Sequence, residues 1–243
     1  MLNKNFLTEH REHLLFFTHY TERLYDFPLN DDLIDALHTI RKNQKTKENK
    51  TFDDPNFQYG NKTLGGFQPY FPVANFTDIT KEDVPYLQDK HFEAIKSLKN
   101  NIIIDTVDDY INRYYPNTNN ELTYANWAII YDKNSFQRIH THGSTLFTSI
   151  FYVDMPKTKY PYEGQIEITD VSSNHDGLKT QVVEPIKGLM VTFPGKYPHY
   201  TLPIQSEGER IVIVNDVRLN DNVNPAKENN AKEKISSLVI RNG

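Results

Sequence analysis

The stretch SFQRIHTHGSTLFTSIFYVD, residues 135–154, places two histidines, His140 and His142, one residue apart. Gly143 follows at once, and then a run rich in Thr, Phe, Ile and Tyr. In an extended chain, residues i and i+2 point to one face; in a helix they point nearly opposite ways. The β-branched and aromatic run after Gly143 marks a strand. His140 and His142 therefore converge if their segment is extended. Two readings fit the pair alone: a two-imidazole chelate, or two surface histidines at a strand end.

The same strand composition recurs on both sides of this stretch. LTYANWAIIYD (122–132), GQIEITD (164–170), KTQVVEP (179–185), GLMVTFP (188–194) and RIVIVNDVRL (210–219) are short runs of Val, Ile, Thr and aromatics, bounded by Gly, Pro, Asn or Asp. Strands this numerous at this spacing predict a β-sandwich or barrel. Upstream the pattern is helical. Leu33, Leu37 and Ile40 share one face of a helix over residues 29–43, with Asn30 as its expected cap and Asp31 and Asp32 in its first turn. Thr80 with Asp83 resembles a capping box, and Phe92, Ile95, Leu98, Ile102, Val107, Ile111 and Tyr114 recur at helical spacing. That helix, or bent pair of helices, stops before Pro116.

Helices first and strands afterwards predict a mainly β (α+β) fold, a rolled sheet with helices packed on one face. The expected organisation is a helical and loop part at 1–120, a β core at 121–220 and a polar tail at 221–243. Residues 44–72 read as a loop rich in aromatics, including Phe52, Tyr59 and Phe67, suited to a lid or a substrate wall. A second lid candidate is DVSSNHDGLKT (170–180), with Gly177 as a hinge and His175 facing solvent.

Composition narrows the function classes. With 37% hydrophobic and 12% aromatic residues, the 243-residue chain can build a real core. Its net charge of −5 comes without a basic stripe, which argues against a nucleic-acid partner. The absence of cysteine excludes disulfides, zinc ribbons, iron–sulfur clusters and thiol nucleophiles. The apolar patch Leu14–Phe17 is too short for a signal sequence and no run approaches a membrane span, so a cytoplasmic protein without a membrane partner is expected.

GLMVTFPGKYPHYTLP (188–203) contains a strand, the turn Pro194–Gly195, and then His199 behind Pro198. The pairing of HxH with a later Pro-Gly turn and His resembles the two motifs of the cupins, in which a jelly roll brings the ligands to one mouth. On that pattern His140, His142 and His199 are the expected metal ligands. Arg210 opens the strand RIVIVND. A guanidinium inside a barrel needs an anion and is well shaped for a carboxylate; the alternative is an ion pair with the neighbouring Glu207 or Glu209.

His140, His199 and Arg210, in this order and each on or beside a strand, resemble the 2-oxoglutarate- and iron(II)-dependent oxygenases. The closer resemblance is to a prolyl-hydroxylase-like branch with an H-x-H…H…R pattern. It rests on TYAN (123–126), HTH (140–142), TSIFYV (148–153), GQI (164–166), FPGKYPH (193–199) and Arg210, over about residues 120–218. The resemblance implies a double-stranded β-helix holding Fe(II) on the three histidines and leaving positions for 2-oxoglutarate and O₂. It places Arg210 on the far carboxylate of 2-oxoglutarate, with Tyr152 and Asn126 as further cosubstrate contacts. The implied activity is that of a dioxygenase, coupling oxidative decarboxylation of 2-oxoglutarate to hydroxylation or a related oxidation of a small molecule or a peptide side chain.

Two departures from the family pattern matter. His142 stands where a carboxylate is usual, and three neutral imidazoles would leave the metal its full charge, raising the Fe(III)/Fe(II) potential and tightening anion binding. Glu167 or Asp170 could instead complete an ordinary triad. Val212 stands where relatives often place a serine. Three rivals remain. A cupin-type three-His dioxygenase without 2-oxoglutarate would need a Glu near Leu146 and Phe147. A three-His zinc enzyme would leave Arg210 without a purpose. A jelly-roll binding module would make the histidines incidental.

Overall fold

The computed structural model describes residues 6–15, 18–44, 63–69, 75–116, 122–170 and 179–219. Most of the expected aromatic loop, residues 171–178 of the second lid candidate, and the tail at 221–243 lie outside them.

The strands are β1 (Leu7–Leu15), β2 (Thr18–Tyr25), β3 (Thr63–Leu64), β4 (Leu122–Tyr131), β5 (Phe136–His140), β6 (Phe147–Asp154), β7 (Ile166–Asp170), β8 (Lys179–Val183), β9 (Leu189–Phe193), β10 (His199–Thr201) and β11 (Arg210–Leu219). They form a major sheet in the order β1-β2-β9-β6-β11-β4 and a minor sheet in the order β3-β5-β10-β7-β8. Apart from the consecutive pairs β1–β2 and β7–β8, neighbours in space are not neighbours in sequence, and the strand pairs are antiparallel, as in a rolled double-stranded β-helix.

The central strand β6 is buried on both faces, and it carries no charged residue before Asp154. Ile150 and Tyr152 face into the roll with Ile129, Tyr131, Val212 and Phe193. Phe147, Phe151 and Val153 face outward, onto the helices. Those helices are α1 (Asn30–Asn43), α2 (Asp89–Leu98) and α3 (Ile104–Tyr114). They bury Leu33, Leu37, Ile40, Ile95, Leu98, Val107 and Tyr110 against the back of the major sheet. The expected bend falls at a π-helical turn, Lys99–Ile103, between α2 and α3.

Three local expectations change. Leu29, not Asn30, is the N-cap of α1. The Asn30 amide instead donates to the Val153 carbonyl at 2.9 Å, tying α1 to β6. Thr80 and Asp83 do bond reciprocally, but they close a turn ahead of the helix. The helix itself starts at Asp89, where Gln88 and His91 cap each other's backbone.

The N-terminal part is also not only helix and loop. β1 and β2 form a hairpin that joins the major sheet through Thr21↔Thr192 to Leu24↔Leu189. Charge hid it from the sequence reading. β1 carries Glu9, Arg11 and Glu12, and β2 carries the buried Arg23, which donates to Asp105 of α3 at 2.7 Å and forms an ion pair with Asp109 at 3.1 Å. Among the described residues, no helix is long and apolar enough to cross a membrane.

Candidate metal centre

Register brings the histidines together. β10 pairs antiparallel with β5, so that His199 lies opposite His140. His142 sits just past the end of β5, and its N–H donates to the Gly195 carbonyl at 2.9 Å. A Cβ at position 195 would stand 2.7 Å from the Thr145 carbonyl oxygen, so glycine is what lets the Pro194–Gly195 turn approach this loop. The three imidazoles form a triangle with ring separations of 4.3, 5.2 and 5.0 Å. One ligand atom from each lies within 4.8 Å of the others.

The tautomers agree as well. His140 Nδ1 meets the Arg138 carbonyl at 2.7 Å, His199 Nδ1 meets the Tyr197 carbonyl at 3.0 Å, and His142 Nδ1 meets the Asp216 carboxylate at 2.6 Å. Carbonyls and carboxylates only accept, so each Nδ1 carries a proton, and in the neutral ring the lone pair is then on Nε2. Three imidazole donors of one tautomer, drawn from one edge of the roll, suit Fe(II) and leave further coordination positions open.

Arg210 begins β11 opposite Tyr131 and is 1% exposed. Its guanidinium lies 3.8 Å from the centre of the Tyr131 ring, and Nη1 donates to the Gly164 carbonyl at 2.8 Å. Among the described residues, Nε and Nη2 have no hydrogen-bond partner of good geometry. Burial pulls its pKa down, and Tyr131 and Tyr152 oppose that. The neighbouring acids are engaged elsewhere, Glu207 with Lys133 and Glu209 with His38 and Arg41. Tyr152 is buried on the same inward face, and its hydroxyl has no partner. Burial holds the phenol pKa above its usual range, although Arg210 pulls the other way. Val212 shares this inward face.

Two expected contributors are elsewhere. Asn126 does not face the roll. On β4 the inward positions are Trp127, Ile129 and Tyr131, so Asn126 turns to the helix side, where its amide bonds Thr77 and Asn75. Glu167 does not reach the histidines either: Ile166 and Ile168 take the inward face of β7, and Glu167 accepts from the Tyr200 hydroxyl. The Asp170 side chain lies outside the described residues.

Two residues of the site went unread. Asp216 shares the inward face of β11 with Arg210, Val212 and Val214, so strand alternation from Arg210 could have found it. Tyr131 is visible only once β4 is paired with β11, which no sequence pattern supplies.

The family described as putative 2OG-Fe(II) oxygenase matches residues 125–216, the span from β4 to β11. Over that span the sequence is similar to the non-haem oxygenases that use Fe(II) and 2-oxoglutarate. Among solved structures, the chain is similar to a Pseudomonas putida prolyl-4-hydroxylase, with 14% identity, 83% of this chain and 92% of the other covered, and a TM-score of 0.51. It is also similar to a prolyl hydroxylase from Trichoplax adhaerens in complex with a hypoxia inducible factor oxygen degradation domain peptide fragment. That likeness has 15% identity, 82% and 83% coverage, and a TM-score of 0.54. These likenesses establish the shared double-stranded β-helix. No curated protein matches by sequence.

Proposed function

We propose that the chain oxidises a substrate by consuming 2-oxoglutarate and O₂, with His140, His142 and His199 holding Fe(II) and Arg210 holding the cosubstrate. Bound iron supplies oxygen activation coupled to decarboxylation of 2-oxoglutarate to succinate. The observation that carries this reading is the common tautomer of three clustered imidazoles on the same interior that buries Arg210.

The chain's own groups divide the work. The Nδ1 acceptors fix each ring so that Nε2 donates. Arg210 offers two N–H groups to a carboxylate, in a site dry enough to make that pairing strong. Tyr152 can add its hydroxyl to the same anion. The Gly164 carbonyl and the Tyr131 ring hold the guanidinium in place. The buried, partner-poor Arg210 favours this reading over a zinc enzyme or a cupin-type dioxygenase, neither of which needs an anion there.

The test begins with metal analysis of anaerobically purified protein, followed by 2-oxoglutarate titration. Iron, with a weak visible band that appears only on 2-oxoglutarate addition, is expected. His199→Ala should lose the metal, and Arg210→Ala should keep it while losing most cosubstrate affinity. Zinc as the resident metal, or unchanged 2-oxoglutarate binding in Arg210→Ala, would overturn the proposal. Succinate formation then screens substrates. Peptides come first in that screen, because a protein of this fold was solved with a peptide fragment bound.

A further inference from the structure

We propose that Asp216 supplies, through the His142 ring, the negative charge that a carboxylate ligand supplies directly in an ordinary His-x-Asp/Glu triad. Asp216 is then a positioning residue of the metal centre, and the inference rests on the metal reading above.

The argument is an asymmetry among the three imidazoles. His140 and His199 give their Nδ1 protons to backbone carbonyls, which are neutral. His142, at the position where the family pattern has a carboxylate, gives its Nδ1 proton to an anion. That contact is 2.6 Å long, and the two side chains are 6% and 3% exposed. The other oxygen of Asp216 accepts from the Thr145 hydroxyl at 3.2 Å, and the half-exposed Arg218 comes only to 3.7 Å.

A carboxylate this deep is costly without a strong positive partner, and a neutral imidazole is a weak one. A divalent cation on the far side of the same ring is a strong one, because it draws charge through the imidazole towards itself. The ring is held for this purpose on two further sides: Trp127 lies 6.0 Å away, with the ring planes 17° apart, and the His142 backbone is pinned to Gly195. The three-imidazole centre is therefore less electron-poor than its ligand list suggests.

The test reads metal binding alone, without substrate or 2-oxoglutarate. Trp127 is the only tryptophan of the chain and sits beside His142, so its fluorescence reports titration of the full-length protein with Co(II), or with Fe(II) anaerobically. Asp216→Asn keeps an acceptor for the ring N–H and removes the charge. It is expected to weaken metal binding by roughly 10- to 100-fold and to make the iron potential more positive.

A second background separates relayed charge from loop-holding. In His142→Asp, the residue at position 142 ligates directly and Asp216 only repels it, so adding Asp216→Asn should leave affinity unchanged or tighten it. Equal losses in both backgrounds mean that Asp216 acts on the loop rather than through His142, and overturn the proposal. Wild-type affinity in Asp216→Asn also overturns it, and if His199→Ala still abolishes binding, the metal reading survives. A wild-type protein that binds neither metal overturns both.

Discussion

Arg210 shows how a single residue is set against the stability of its own fold. Its side chain is among the largest fully buried ones in the protein, and two of its donors lack partners. Among the described residues, no ion pair is formed with it. Burying an uncompensated cation costs several kcal/mol, and replacing such a group with an apolar side chain of similar volume is often neutral or stabilising by about 1–4 kcal/mol. A dicarboxylate bound at this guanidinium would supply the opposite charge that the described residues do not. Arg210→Met is expected to unfold at equal or higher urea concentration than the wild type, while losing 2-oxoglutarate affinity by at least about 2 kcal/mol in calorimetry of the Co(II)-loaded protein. A variant markedly less stable than wild type would mean that the guanidinium is structural.

The elements that carry the roll and its backing were readable where pattern and burial coincide. Strands such as β6 and β11 are buried on both faces along most of their length, and α1 and α2 bury one stripe each. The contact between α1 and α2 makes a pH prediction. Asp35 of α1 accepts from Lys90 at 2.7 Å and His91 at 2.9 Å on α2, and these bonds, Lys90 first, lower its pKa to about 2. A folded-state pKa below the unfolded 3.8 means that the stabilisation is present above pH 3.8 and is lost as pH falls towards 2. The carboxylate is 52% exposed, so screening keeps the effect below about 1 kcal/mol. Urea unfolding of wild type and Asp35→Asn should show a gap at pH 6 that closes by pH 2; a gap of constant size would remove the pairing as its cause. Less readable were elements and positions fixed by partners remote in sequence. The β1–β2 hairpin holds a charge that only α3 satisfies. Alternation along β4 and β11 tells which residues share a face, but the choice of face comes from the sheet that closes over them. Hence Asn126 turns to the helix side and Asp216 lies inward without a pattern that marks it, whereas the three histidines, marked by spacing and glycine turns, lie together.

At the scale of the whole molecule, the candidate site draws its residues from both sheets of the roll. His140 and His199 belong to the minor sheet, while Arg210 and Tyr152 belong to the major sheet. On the proposed function, a metal alone would engage the first group. A dicarboxylate bound to both the metal and Arg210 ties one sheet to the other, and binding confined to the folded state stabilises it by mass action. Each ligand held at about 100 times its dissociation constant contributes about 2.7 kcal/mol, or roughly 5–11 °C in a chain of this size. The two should also be synergistic, because the cosubstrate needs the metal to complete its site. Anaerobic thermal melts should therefore show a small shift with 2-oxoglutarate alone, a moderate one with Co(II) alone, and more than their sum together. Arg210→Met should keep the metal shift and lose the cosubstrate increment, and His199→Ala should lose both. Additive shifts, or a full 2-oxoglutarate shift without metal, would mean that the anion binds away from the histidines and that the two sheets are not bridged at this mouth.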